Sequence, residues 1–155
     1  LGRPEPYGKM KFRCMRGLKG GSASGQITGG NLTRITESIG TPYEVITEGR
    51  ILFLEEVEES EDGIIASLRD LKSHGKFDGV RGMVFGRMAN CFSGEETFRS
   101  KLGEVLSGID CPVVYDIPSG HTEDLVDEHI TLPFGLEISL DAEKASIDIN
   151  EPAVS

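Results

Sequence analysis

The 155-residue sequence has no long apolar run: its longest uninterrupted stretches, such as Ile51-Leu52-Phe53-Leu54, are four residues, against the roughly 20 a membrane-crossing helix requires. No membrane-spanning helix is therefore expected. The first residues show no basic, apolar and small-residue leader pattern. Cysteine is scarce: Cys14, Cys91 and Cys111 cannot all pair within one chain, which argues for a reducing, cytoplasmic setting. Positive charge is in deficit, with 16 Lys and Arg against 26 Asp and Glu and a net charge of −10. Binding a phosphate backbone needs cations that displace counterions, so nucleic acid is not an expected partner.

Several chemical signatures are absent as well. No Gly-Lys pair is followed by Ser or Thr, which excludes a P-loop, and no two glycines stand two apart, which excludes a dinucleotide fingerprint. Gly-x-Ser-x-Gly, the elbow that presents a nucleophilic serine, does not occur. Neither HExxH nor paired CxxC spacing is present, so no metal and no cofactor are expected.

What is present is the balance of a soluble domain of ordinary size: 37% hydrophobic and 27% charged residues. The charge is uneven. Residues 1–36 hold seven Lys or Arg and one acid, Glu5, leaving the remainder strongly acidic. Either this lead-in folds against acidic neighbours or it contacts something outside the chain. Leu1 to Gly8, with Pro4, Pro6, Gly2 and Gly8, reads as a linker. The chain opens on Leu, and the expectation is a piece of a longer protein, with 1–16 a lead-in and 17–155 the domain.

Glycine makes up 20 residues and clusters in 17–25 and at Gly29-Gly30, which reads as turns or close backbone approaches. A short helix follows, capped by Asn31, packed through Leu32, Ile35 and Ile39, and stopped at Gly40 and Pro42. Arg50 to Leu54 reads as a strand buried on both faces. Ser60 to His74 reads as a helix with Glu61 and Asp62 at its positive end and Ile64, Ile65, Leu68 and Leu71 inward. Gly82 to Gly86 is a second strand. Ser93 and Glu96 predict a capping box for a third helix that buries Phe98, Leu102, Val105 and Leu106. Pro112 to Tyr115 is a third strand, and the alternating runs Leu136/Ile138/Leu140 and Ala145/Ile147/Ile149 predict a C-terminal hairpin. Strands alternating with helices imply an α/β domain with a parallel sheet, here with an added antiparallel layer.

In such sheets chemistry sits at the carboxyl ends of the strands. Strand one ends in Glu55 and Glu56, strand two in Gly86 and Arg87, and strand three leads through Asp116 and Ser119 to His121. A carboxylate and an imidazole are the makings of an orienter and a base. The competing readings are a solvated charge at Glu55 and an ordinary loop histidine at His121. No serine looks activated; Cys91 and Cys111 are conceivable thiol nucleophiles, although Cys111, beside an apolar strand, reads as packed. The six acids within 55–62, with His121 and His129, leave a metal-dependent hydrolase as a third possibility.

Taken in order, Gly29-Gly30-Asn31-Leu32, Gly40-Thr41-Pro42-Tyr43, Ile51-Leu52-Phe53-Leu54-Glu55, Gly86-Arg87, Gly120-His121 and Leu132-Pro133-Phe134-Gly135 resemble the C-terminal half of the serine LD-carboxypeptidases and microcin self-immunity peptidases. The resemblance implies a swivelling β/β/α-type domain and a Ser-His-Glu triad built across two domains, with Glu55 and His121 here and the serine on an N-terminal domain. It implies a cytoplasmic hydrolase acting on a small peptide or a peptidyl-nucleotide, inactive as this fragment alone, and by analogy able to form a homodimer. Position 56 is Glu where the family usually has Asp, and Thr122 to Glu128 is longer and more acidic than the family's segment. The glycine-rich stretch leans towards the microcin-immunity branch. The alternative is a non-catalytic binding domain that keeps the fold.

Overall fold

In the strand Ile51-Leu52-Phe53-Leu54 every side chain is buried, and because successive residues of a strand point to opposite faces it needs a hydrophobic layer on each side. The computed structural model, which describes residues 8–10, 15–121 and 129–152, has both layers. Ile51 and Phe53 pack with Val84, Val114, Ile138, Leu140, Ile147 and Ile149. Leu52 and Leu54 pack with Ile64, Leu68, Leu71, Phe85 and Leu102. The first core lies between the parallel strands and the hairpin, the second between the parallel strands and the helices. The layers therefore run β/β/α.

The described elements are β1 (Gly8–Met10), β2 (Arg16–Lys19), β3 (Ser22–Asn31), α1 (Leu32–Glu37), β4 (Ile51–Val57), α2 (Glu61–Ser73), β5 (Gly82–Ala89), α3 (Glu95–Val105), β6 (Val113–Ile117), β7 (Glu137–Asp141) and β8 (Ser146–Ile149). The strand order is β1-β8-β7-β3-β4-β5-β6-β2. Neighbours from β3 to β6 are parallel, while β1, β8, β7 and the first half of β3 pair antiparallel. β3 is the hinge between the two sets: Ser22–Gln26 pair with β7 and Ile27–Asn31 with β4.

Helices α1 and α2 start where the sequence places them. The Asn31 side chain accepts from the Arg34 N–H, and that of Ser60 from the Gly63 N–H, each satisfying a donor the first helical turn leaves open. Helix α1 ends at Glu37, so Ile39 packs from the following turn.

Three expectations are corrected, the first of them in part. The glycine-rich 17–25 stretch and Gly29-Gly30 are largely strand, in β2 and the ten-residue β3, so the turn half of that reading is corrected; the close backbone approach holds at Gly17, where a Cβ would run into the Ala142 carbonyl oxygen, and at Gly29, where it would run into that of Phe53. In β3 exposed Ser22, Ser24 and Gln26 alternate with inward Ala23, Gly25 and Ile27, and a Cβ on Gly25 would stand 3.2 Å from the Gly49 carbonyl oxygen. Within the 1–16 stretch, Gly8–Met10 pairs antiparallel with β8; residues 1–7 and 11–14, Cys14 among them, lie outside the described residues. The Ser93 capping box does not form: the N-cap of α3 is Gly94, in extended conformation and without a side-chain cap bond. Lastly, β4 and β5 run three residues beyond the strands expected, which carries Glu55 and Glu56 into the sheet.

Candidate active site

Glu55 and Glu56 are adjacent in β4 and both buried, at 6% and 4% exposure. Burying a carboxylate is costly unless hydrogen bonds replace its water, so each must find donors. Alternation sends them to different neighbours, and the ladder beside them is irregular. Leu54 pairs with Phe85 but Glu56 with Met88, so two residues of β5, Gly86 and Arg87, face Glu55 alone, the geometry of a bulge.

The donors for Glu55 come from the loop after β6. The backbone N–H of His121 donates to Glu55 Oε2 at 3.1 Å, and His121 Nδ1 lies 2.9 Å from the same oxygen. An ionised carboxylate only accepts, so Nδ1 carries the hydrogen and, in the neutral ring, the lone pair is on Nε2. The imidazole is 59% exposed against 7% for the Glu55 side chain, which puts the acceptor nitrogen at the outer side of the pair. His129 Nε2 sits 3.2 Å from the Gly120 carbonyl oxygen, bracing the turn that carries His121.

Two glycines make this contact possible. Gly120 has φ +103°, and a Cβ there would lie 2.7 Å from Glu55 Oε2 and 2.8 Å from Glu55 Cβ and Cγ. A Cβ on Gly86 would approach the Ser119 carbonyl oxygen to 2.6 Å and Glu55 Cβ to 3.0 Å. Gly86-Arg87 and Gly120-His121 are thus the floor and the rim of the Glu55 seat.

The hydrogen bond and the negative charge of Glu55 raise the His121 pKa above the ordinary imidazole value of 6.5, slight burial opposes them, and the Glu56 charge adds to the rise. For Glu56, burial pushes the carboxyl up, but hydrogen bonds from the Thr33 hydroxyl, the Val57 N–H, the Asn31 amide and the Thr33 N–H outweigh it and leave the pKa below 4.5.

The structure brings Glu55 and His121, 66 positions apart, into direct contact, and it disperses the other candidates. Among the described residues no group of three or more His, Cys, Asp or Glu could hold a metal ion. Of the acids within 55–62, Glu56 turns to α1, and Glu61 and Asp62 pair with Lys101. Burial raises the thiol pKa of both Cys91 and Cys111, the opposite of what activates a nucleophile. Ser119 is buried, and its N–H bonds to the Ile117 carbonyl. The Thr122 to Glu128 segment lies outside the described residues. Sequence reasoning passed over the partners of Glu56, namely Asn31 and Thr33; two consecutive acids inside an otherwise buried strand were the available signal.

Beyond β5 and β6 the same edge holds a cleft of about 220 Å³ lined by Gly86, Phe92, Phe98, Tyr115 and Asp116 among others. Burial raises the Asp116 pKa, Arg87 and Arg16 lower it, and Glu95 adds to the rise.

Comparisons with known proteins show the family and the fold. The family model of the LD-carboxypeptidase C-terminal domain matches residues 24–140. A Streptomyces coelicolor protein named as a carboxypeptidase is 35% identical over 135 residues, 86% of this chain and 42% of its own. The microcin C7 self-immunity protein of Escherichia coli is 30% identical over 138 residues, 87% of this chain and 39% of its own. A solved structure of microcin C7 self-immunity protein with aspartyl sulfamoyl adenosine superposes with a TM-score of 0.76 at 27% identity, covering 91% of this chain and 42% of that one. The muramoyltetrapeptide carboxypeptidase of Oxalobacter formigenes gives 0.74 at 26%, covering 93% and 50%. The chain spans about two fifths of the length of these curated relatives. It belongs to the LD-carboxypeptidase family, and it is that family's C-terminal domain.

Proposed function

We propose that this domain supplies the base and the orienter of a serine hydrolase whose nucleophile resides on an N-terminal domain of the same protein. The observation that carries the reading is the 2.9 Å contact between His121 Nδ1 and Glu55 Oε2 at the carboxyl edge of the parallel strands. Glu55 fixes the tautomer and stabilises the imidazolium that forms; His121 Nε2 takes the proton of the serine hydroxyl as its oxygen attacks the scissile carbonyl. When the tetrahedral intermediate collapses, the C–N bond breaks and His121 returns the proton to the leaving amine. Water then releases the acyl group by the same route in reverse. No metal or cofactor enters these steps.

The family membership and the names of relatives support an amide bond as substrate, either in a murein tetrapeptide ending in a D-residue or in an acyl-sulfamoyl-adenylate-like compound. The cytoplasm is the compartment that fits a chain whose Cys91 and Cys111 are free thiols. On this reading the chain alone has no turnover, because the serine is elsewhere.

The test uses the whole protein that carries this chain and measures D-alanine release from a murein tetrapeptide. Glu55→Gln and His121→Ala each lower kcat by about 10⁴-fold, as when a triad loses its orienter. The base acts in its neutral form, and its pKa is raised. The acidic limb of the kcat/KM profile therefore lies above pH 6.5. Unchanged turnover in both variants refutes the assignment.

A further inference from the structure

We infer that Glu56 is a positioning residue for the Glu55–His121 pair, acting through the junction of β3 and α1. This deepens the proposed function and rests on it.

The Glu56 carboxylate sits at the crossing of three elements and accepts four hydrogen bonds. Asn31 Nδ2 donates to Oε1 at 2.6 Å and the Val57 N–H to the same oxygen at 3.0 Å. The Thr33 hydroxyl and the Thr33 N–H donate to Oε2 at 2.6 and 2.9 Å. Asn31 and Thr33 lie on either side of the β3–α1 boundary, so one side chain of β4 holds the end of a strand and the start of a helix together. Asn31 also pairs across the sheet with Glu55 and caps α1 through the Arg34 N–H. A route of direct contacts thus runs from Glu56 through Asn31 to the backbone of Glu55 and on to His121.

The position matters because the sheet cannot do this job itself. On the β5 side of Glu55 the ladder slips between Leu54 and Glu56, and the β5–β6 pairing slips between Val84 and Gly86. The regular ladder that usually fixes a side chain's direction is interrupted on one flank of Glu55. On the other flank it is intact and ends at Asn31, the residue Glu56 grips. Simple solvation of a strand-end charge does not account for this, since Glu56 is 4% exposed. Nor does helix capping alone, because Asn31 already caps α1. The carboxylates facing His121 among the described residues are Glu55 in contact and Glu56 behind it, and His129 braces the same turn.

The experiment compares Glu56→Gln and Glu56→Asp in the whole protein, with Glu55→Gln as control. Glu56→Gln keeps the volume but turns an amide donor towards Asn31 or Thr33. Expected are a fall in kcat of about 10- to 100-fold, the scale of a loosened supporting group, a KM within threefold, and an acidic limb of kcat/KM moved to lower pH. Glu56→Asp keeps the charge and all-acceptor character and recovers most of the rate. If Glu56→Gln lowers only thermal stability, leaving kcat and the limb at their original values in the folded protein, the positioning role is wrong while the pair stands. If Glu55→Gln itself is silent, the proposed function falls. Failure of Glu56→Asp to recover more than Glu56→Gln also overturns the inference.

Discussion

Replacing Gly120 by alanine puts the geometry of the Glu55 seat to a quantitative test. Two separate penalties meet at this position. At φ +103° a Cβ is strained against its own backbone, at about 1–2 kcal/mol. It would also stand 2.7–2.8 Å from Glu55 Oε2, Cβ and Cγ. Cβ cannot swing aside as a side-chain tip can, so overpacking adds about 1–3 kcal/mol. Gly40 provides the control: its φ is +75° with nothing within 4 Å of a built Cβ. Gly40→Ala carries only the strain, partly offset by the reduced freedom of the unfolded chain, and nets about 1 kcal/mol. Gly120→Ala should cost about 2–5 kcal/mol, which in urea, at about 2 kcal/mol per molar, lowers the midpoint by roughly 1–2.5 M. Urea unfolding of the chain followed by circular dichroism reads both. In the whole protein Gly120→Ala should also lower kcat by about 10²-fold, because relief of the clash moves the carboxylate that orients His121. Equal midpoints for the two variants would show that Gly120 is not in close contact with Glu55, and the account of the seat would be refuted.

Two further predictions concern stability. Ser60→Ala removes the acceptor of the Gly63 N–H at the start of α2 and should cost about 1 kcal/mol, whereas Ser60→Asp should be nearly neutral; equal losses in both would show that the cap is not the cause. Glu56 has a folded pKa below 4.5, so the unfolded chain binds the proton more readily. The stability it adds is present above the unfolded value and lost as pH falls through the folded one. Glu56→Gln should therefore flatten the loss of stability between neutral pH and that acidic window, and an unaltered slope would contradict it.

Much of the domain is legible because local chemistry dictates it. Asn31 and Ser60 cap helices wherever the following residues are apolar at helical spacing, and Ile51 to Leu54 cannot be anything but buried. The alternation in the tail fixes β7 and β8 without reference to the rest of the fold. By contrast, β3 was hidden by its composition. Serine, glycine and alanine signal turns when read locally, yet here the serines lie on the exposed face of a strand and Ala23 and Gly25 on its covered face. Ser93-Gly94-Glu95-Glu96 shows a similar limit: the Ser93 and Glu96 motif is intact, but Gly94 takes the N-cap position without a side-chain bond, and the neighbouring Glu95 is held by Tyr115 Oη at 2.9 Å and by Arg16 at 3.0 Å.

The candidate site divides along the same line. That Glu55 and His121 reach one edge follows from strand ends in a parallel sheet; that they touch does not follow from any spacing, since 66 residues separate them. Contact requires Gly86 and Gly120 to vacate the space that two Cβ atoms would fill, and it requires a loop turned by a positive φ. The Glu55-Glu56 doublet then acquires a physical sense it lacks in the sequence. A strand presents neighbours to opposite faces, so one carboxylate can orient an imidazole on one side while the other ties down the strand and helix on the opposite side. Exchanging the two roles would need a one-residue shift of β4, which would also exchange Ile51 and Phe53 with Leu52 and Leu54 between the two cores. The packing of the domain and the aim of its candidate base are therefore set by the same register.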